Sequence, residues 1–272
     1  MRVSAATQVA AIGMVAAFVQ AACGAQTVLN SDFSRADFAA LGWTVKGDWA
    51  LFPCPKGAAH DPGRVARFPA NKPDGTLTRD FPEIRNPGKL TLSLDYGWGW
   101  GDAGQAADMI AFQLLDSRGN GYVFEVHRCK ATWAVQWGRA ADGKPLDHKT
   151  WAPVEIDASH ASVRDGGGLA HLTVTRESDG SWTLASPDWN QGKGAAVRFA
   201  DTTTTTFSRL VLLGTRNFDD QLFNKIVLTT SGADPAETVA RPATAFLDSL
   251  GVVTSFPDRG QPLPKTIEMI NY

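Results

Sequence analysis

Between residues 28 and 230 the chain repeats one arrangement. A short run alternates apolar and polar residues, closes on Gly, Asn, Asp or Ser, and gives way to another such run. Successive side chains of an extended strand point to opposite faces, so a period of two makes a segment with one dry side and one wet side. No stretch of ten or more residues there keeps the 3.6-residue period of an amphipathic helix. Parallel strands need crossovers of about a dozen residues, usually helical, and the sequence leaves no room for them. The expected fold is therefore all-β, a two-sheet antiparallel β-sandwich.

Individual segments carry the argument. In KLTLSLDY, Leu90, Leu92 and Leu94 share one face while Thr91, Ser93 and Asp95 share the other. Ile110, Phe112 and Leu114 repeat the pattern, SRGNG supplies a turn, and Tyr122, Phe124 and Val126 lead back, which predicts a hairpin. HLTVTRE and SWTLAS flank Ser178, Asp179 and Gly180, the strongest short-range signal for another. Further strands are expected at GRVARF, TLTRDF, ATWAVQWG, PVEIDA, AAVRF, RLVLLG and LFNKIVLTT.

The two ends read differently. Residues 1–25 have the form of an export signal: Arg2 is followed by no charge until Asp32, AAIGMVAAFVQAA is apolar, and small residues allow cleavage after Ala25. The run is Ala-rich with no stop-transfer flank, so no membrane span is expected after its removal. Lipid attachment at Cys23 is an alternative that Gln20, Ala21 and Ala22 fit poorly. The mature chain is then expected to be secreted, periplasmic or on the cell surface. There Cys54 and Cys129 either form one disulfide or remain two buried thiols, and both readings stand because pairing needs Cα atoms within ~7 Å. Residues 231–245, SGADPAETVARPATA, have linker composition. Residues 246–272 are expected to be a short strand and helix stub, the truncated start of a second domain. Ile267, Met269 and Ile270 give its helix an apolar side that nothing in the chain covers.

The charges nearly balance, 26 Lys and Arg against 28 Asp and Glu, so the basic footprint of a nucleic-acid binder is missing. Nine Trp and fourteen Phe supply ample core. No partner subunit is implied, and a monomer is expected.

DFSRADFAALGWTVKGDWALF, GKLTLSLDYGWGWGD, DMIAFQLLDSRGNGYVFEVHR and the closing LFNKIVLTT together resemble the concanavalin A-like lectin and glucanase superfamily, in its laminin-G-like jelly-roll form. The resemblance covers residues 28–230 and rests on pattern. The tail AFLDSLGVVTSFPDRGQPLPKTIEMINY resembles the opening strand and helix of the TIM-barrel domain of bacterial glycoside hydrolases. Together these imply a non-catalytic carbohydrate-binding module of a secreted modular glycoside hydrolase, with a poly- or oligosaccharide as partner. Two rivals remain: a structural sandwich packing on the missing catalytic domain, and a divergent sandwich glycosidase or lyase.

Sandwich glycosidases of this superfamily carry a strand motif of Glu, Asp and Glu. Here Glu155 and Asp157 begin it, and Ser159 or His160 stands where the second Glu belongs. A retaining mechanism needs two carboxyls about 5–5.5 Å apart, so no catalytic residue is assigned. An unusual enzyme would have to draw on Glu125, His127, Glu155 and Asp157. His60, His127, His148, His160 and His171 are scattered without metal spacing, and no Gly-x-Ser-x-Gly elbow occurs. No cofactor or metal site is assigned. Calcium on Asp32, Asp102, Asp108, Asp219 or Asp220 is weighed against solvated loop acids, which the lack of EF-hand spacing favours.

Sugar rings have an apolar face and a polar rim, and flat aromatics beside carboxylates and Arg suit both. Trp98 and Trp100 alternate with Gly ahead of Asp102, an arrangement that fits a binding platform and a core position equally. Trp133, Val135 and Trp137 share a strand face, the pattern of a core, and Trp137 is kept as a binding candidate beside it. Arg128 and His127 end their strand on opposite faces, and Glu125 shares a face with His127. The carbohydrate-binding set is Trp98, Trp100, Asp102, Arg128 and Trp137. The run from Thr202 to Thr206 is expected to be an exposed strand or loop without activity.

Overall fold

The structure is a computed structural model that describes residues 24–53, 63–99, 107–129, 132–153, 168–217 and 219–232. Every strand pairing is antiparallel, and two sheets face each other. One has eight strands, in the order β13 (Ala195–Ala200), β12 (Ser181–Ser186), β11 (Ala170–Glu177), β6 (Lys89–Trp98), β15 (Gln221–Ser231), β4 (Arg64–Phe68) and β3 (Ala50–Pro53), with β1 (Gln26–Ser31) also pairing with β15. The other has seven: β10 (Lys144–Pro153), β9 (Thr132–Ala141), β8 (Gly121–Cys129), β7 (Ala107–Leu115), β14 (Thr206–Gly214), β5 (Gly75–Arg85) and β2 (Thr44–Lys46). The one helical element among the described residues, α1 (Trp189–Gly192), is four residues long.

The period of two decides the inner faces. Leu90, Leu92, Leu94, Tyr96 and Trp98 of β6 are buried in register with one another, while Thr91, Ser93 and Asp95 are half-buried on the other side. β11 and β12 show the same strict alternation. The expected hairpins form as β7–β8 and β11–β12. Strands β1, β2, β3 and β10 were not legible: β2 is three residues, TVK, all exposed, so no dry face marks it. β10 ends at Pro153, and the rest of the expected strand PVEIDA lies outside the described residues.

Aromatic rings fill the space between the sheets. Trp43, Trp49, Trp98, Trp137, Trp182 and Trp189 are all buried. Trp182 lies 4.6 Å from Tyr122 and 5.8 Å from Phe199, centroid to centroid. Trp189 donates from Nε1 to the Tyr96 hydroxyl at 2.8 Å, so the one polar atom of a fully buried indole is satisfied. Such large side chains contribute area in proportion to size, which accounts for the abundance of Trp.

On the outer face of the eight-stranded sheet, Asp95 of β6 accepts from His171 Nδ1 of β11 at 2.8 Å, with Lys225 Nζ at 3.7 Å. The bond to Asp95 raises the His171 pKa above its ordinary 6.5, against the opposing effect of burial. A raised folded value means the folded state favours the proton. The resulting stability is present below about pH 6.5 and is lost as the pH rises through the folded pKa. The imidazole is 44% exposed, so screening holds the contribution under about 1 kcal/mol. Melting curves from mildly acid to mildly alkaline pH should fall by no more than about 2–4 °C from this source. His171→Asn should remove that part of the slope; an unchanged slope would show that the pair adds nothing.

Candidate functional site

The seven-stranded sheet turns Ile110, Phe112, Leu114, Tyr122, Phe124, Val126, Val135 and Trp137 into the aromatic core. Alternation sends Ala111, Gln113, Leu115, Val123, Glu125, His127 and Gln136 to the opposite side. A sheet face turned away from the core is ordinarily wet. Here Gln113, Val123, Glu125 and Gln136 are each no more than 3% exposed. This outer face is recessed.

At one end of this face, over Gln113, stands a clasp between two turns. The Gly143 amide, at the tip of β9–β10, donates to the Gly119 carbonyl in the β7–β8 turn at 2.9 Å. Gln113 Nε2 donates to the Gly143 carbonyl at 3.1 Å, tying the tip to the sheet. Gly119 has φ +85° and a built Cβ would stand 2.7 Å from the Gly143 nitrogen, so the position requires glycine. Beside the clasp lies a depression of about 390 Å³, floored by Leu115, Val211 and Leu213 and edged by Thr76, Thr78, Gln113 and Arg209.

Register fixes the polar row. Thr76, Leu213, Ala111, Glu125 and Gln136 are cross-strand partners on β5, β14, β7, β8 and β9 in turn. His127, two residues along β8 from Glu125, brings Nε2 to 2.7 Å from Glu125 Oε2. The pair is well enclosed, with side chains 17% and 5% exposed. A carboxylate that accepts, an imidazole and an amide that each donate and accept thus stand together in a recess.

The sequence candidates divide. Trp98 ends β6 with no exposed surface, edge-on to Tyr96 at 5.7 Å, and Trp137 stacks on Phe199 at 3.7 Å and 9° between the sheets. Both belong to the core and offer no platform. The Gly residues flanking Trp98 suggested a loop, but Gly97 is a ladder residue of β6, and strand pairing continues to Trp98 itself. Trp100 and Asp102 lie outside the described residues, as do Glu155, Asp157 and Cys54. Arg128 and Cys129 are placed by backbone alone, opposite Asp108 and Ala107 on β7. Glu125 and His127 were legible as face-sharing residues; Gln136 was not singled out, because its neighbour Glu125 arrives through β8–β9 pairing.

Of the acids weighed for calcium, Asp32 accepts from the Ser34 amide and pairs with Arg35 at 3.0 Å. Asp220 pairs with Arg67 at 2.7 Å and accepts from the Ala70 amide at 2.8 Å. Among the described residues no group of three His, Cys, Asp or Glu side chains gathers that could hold a metal ion. Nor is any helix among them long and apolar enough to cross a membrane.

No family model matches the sequence, and no curated protein is similar to it. Solved structures are similar in fold. A carbohydrate esterase from Shiga toxin-encoding bacteriophage phi24B superposes with a TM-score of 0.53 at 13% identity, over 77% of this chain and 100% of that one. The VIP36 exoplasmic/lumenal domain, in a Ca2+- and Man2-bound form, gives 0.53 at 10% identity, over 78% and 91%. The Emp47p carbohydrate recognition domain gives 0.50 at 11% identity, over 75% and 95%. The fold is a two-sheet antiparallel sandwich like those of these structures. At these identities the likeness extends to the fold and no further, and function has to be argued from the recess.

Proposed function

We propose that the chain is a carbohydrate-binding module whose ligand lies on the recessed face of the seven-stranded sheet, around Glu125, His127 and Gln136. The carrying observation is the polar row itself. Glu125, His127 and Gln136 gather a carboxylate, an imidazole and an amide on a face turned away from the core, groups that accept and donate as a sugar's hydroxyls do. The aliphatic floor of Leu115, Val211 and Leu213 suits the apolar side of a pyranose. Two of the similar folds are named for saccharide recognition or hold mannose units, which supports the same reading. Arg128 adjoins His127 in sequence, and the connection carrying Trp100 and Asp102 joins β6 to β7 at the same end of the sandwich. These three remain binding candidates.

The wider setting is part of the proposal: a secreted, monomeric module, exported by residues 1–25 and joined through residues 231–245 to a glycoside hydrolase barrel. The Glu125–His127 pair also has the composition of an acid–base pair. A retaining glycosidase needs a second carboxyl about 5–5.5 Å away. Among the described residues, Asp80 on β5 is three strands from Glu125 and four residues along from Thr76, its counterpart in the row, about 20 Å at the usual spacings. Binding is therefore the reading we adopt.

A glycan array on the purified chain tests it. His127→Ala and Gln136→Ala should each weaken retention of the bound glycan at least about tenfold, about 1.4 kcal/mol. Retention of no glycan would overturn the reading. New reducing ends released from a retained glycan, and abolished by Glu125→Gln, would replace binding with hydrolysis.

A further inference from the structure

The connection from β13 to β14 crosses between the two sheets and carries the run of five Thr. It is held unusually firmly for an exposed loop. The Asp201 amide donates to the Gly180 carbonyl at 3.0 Å, and the Thr203 amide donates to Asp201 Oδ1 at 2.8 Å. The buried Tyr122 donates its hydroxyl to the same carboxylate at 2.9 Å and accepts from the Thr204 amide at 3.2 Å. The Asn86 amide donates to the Thr205 carbonyl at 2.9 Å.

Facing this connection is the β7–β8 turn, which is equally fixed. Asp116 accepts from the amides of Arg118 and Asn120 at 2.8 Å each, and from Asn120 Nδ2 at 3.2 Å. Between turn and connection lies a depression of about 350 Å³, lined by Asn120, Arg139 and Thr203 to Thr206 among others. Among the described residues, the hydroxyls of Thr204, Thr205 and Thr206 find no hydrogen-bond partner. A guanidinium, an amide, a carboxylate and a row of hydroxyls on rigid backbone make a surface for a ligand rich in hydroxyls, with little ordering cost on binding.

We propose that this depression is a second saccharide contact site, so that the chain holds its glycan at two places. The inference rests on the glycan-binding reading above. Gly121, in the lining, and His127, in the recess, lie six residues apart on one strand, about 20 Å at the usual rise. Both sites sit on one rigid sheet. A polysaccharide that engages one raises the effective concentration of its own neighbouring units at the other, and avidity exceeds either affinity by about 10²-fold or more.

Titration calorimetry with laminarihexaose, cellohexaose and mannohexaose, followed by the matching soluble polysaccharide, tests this. The expected result is two sites per chain for at least one hexasaccharide. Thr205→Arg, which fills the depression with a long side chain, should remove one site, and His127→Ala the other. Either change should weaken polysaccharide binding about 10²-fold. Thr204→Ala, with a thermal melt matching the parent, guards against misfolding and should weaken the same site as Thr205→Arg. A single site per chain, abolished by His127→Ala, would overturn the inference and leave the glycan-binding reading standing. Two sites indifferent to both Thr variants would also overturn it. Binding of none of these saccharides, with none retained on the array, would overturn both.

Discussion

Trp98→Ala is expected to lower the unfolding free energy by about 3–5 kcal/mol, the usual range for deleting a large buried aromatic. For a domain of this size that corresponds to a fall of about 6–20 °C in Tm. The indole has no exposed surface, packs edge-on against Tyr96, and through Tyr96 reaches the hydrogen bond from Trp189. Burial also raises the Tyr96 pKa, so its phenol stays neutral and the bond persists across any ordinary pH. Removing Trp98 leaves a void that close-packed neighbours fill only in part. A melt within a degree or two of the parent would refute the core placement and restore Trp98 as a binding candidate. Loss of glycan binding in this variant would not bear on the site unless the melt were unchanged.

Gly121→Ala should be comparably damaging, at about 3 kcal/mol or more, the upper end of overpacking costs. Gly121 opens β8 directly opposite Leu115 of β7. A Cβ there would stand 2.1 Å from the Leu114 carbonyl oxygen and 2.9 Å from the Leu115 Cα, and both are backbone atoms with no rotamer to change. The turn cannot yield either, because the Asp116 amide donates to the Asn120 carbonyl at 2.7 Å while the Asp116 side chain holds the Asn120 amide. The hairpin carries Glu125 and His127, so retained glycan should fall in step with the folded fraction. Denaturant titration measures both, and a parent-like midpoint would show that the β7–β8 register is wrong.

The sandwich was legible because alternation is written locally. Leu90, Leu92 and Leu94 announce a dry face without reference to any other strand, and the Gly-containing turns announce two reversals. Glu125 and His127 were legible as sharing a face for the same reason. The same local logic left Trp98 open between platform and core: Gly on either side looks like a loop, and pairing with β15 and packing on Tyr96 decide for core. Trp137 was legible as core through its partnership with Val135, and its stacking on Phe199 of the facing sheet decides the matter. β2 and β3 escaped because edge strands with exposed or half-exposed residues carry no period to detect.

By itself the sequence determined the class of fold, the inward residues of the central strands and the two tight hairpins, since each depends on residues within a few positions of one another. Only the tertiary structure decided which strands are neighbours: β6 lies between β11 and β15, and β14 between β7 and β5. Strand order is set by loop closure and by the fit of distant side chains, and a period of two is silent about both. The same holds for the recess. Glu125 and Gln136 face away from the core by alternation, yet that they are buried, and that the Gly119–Gly143 clasp ties the far end of the same face, are facts of distant contact that no local pattern encodes.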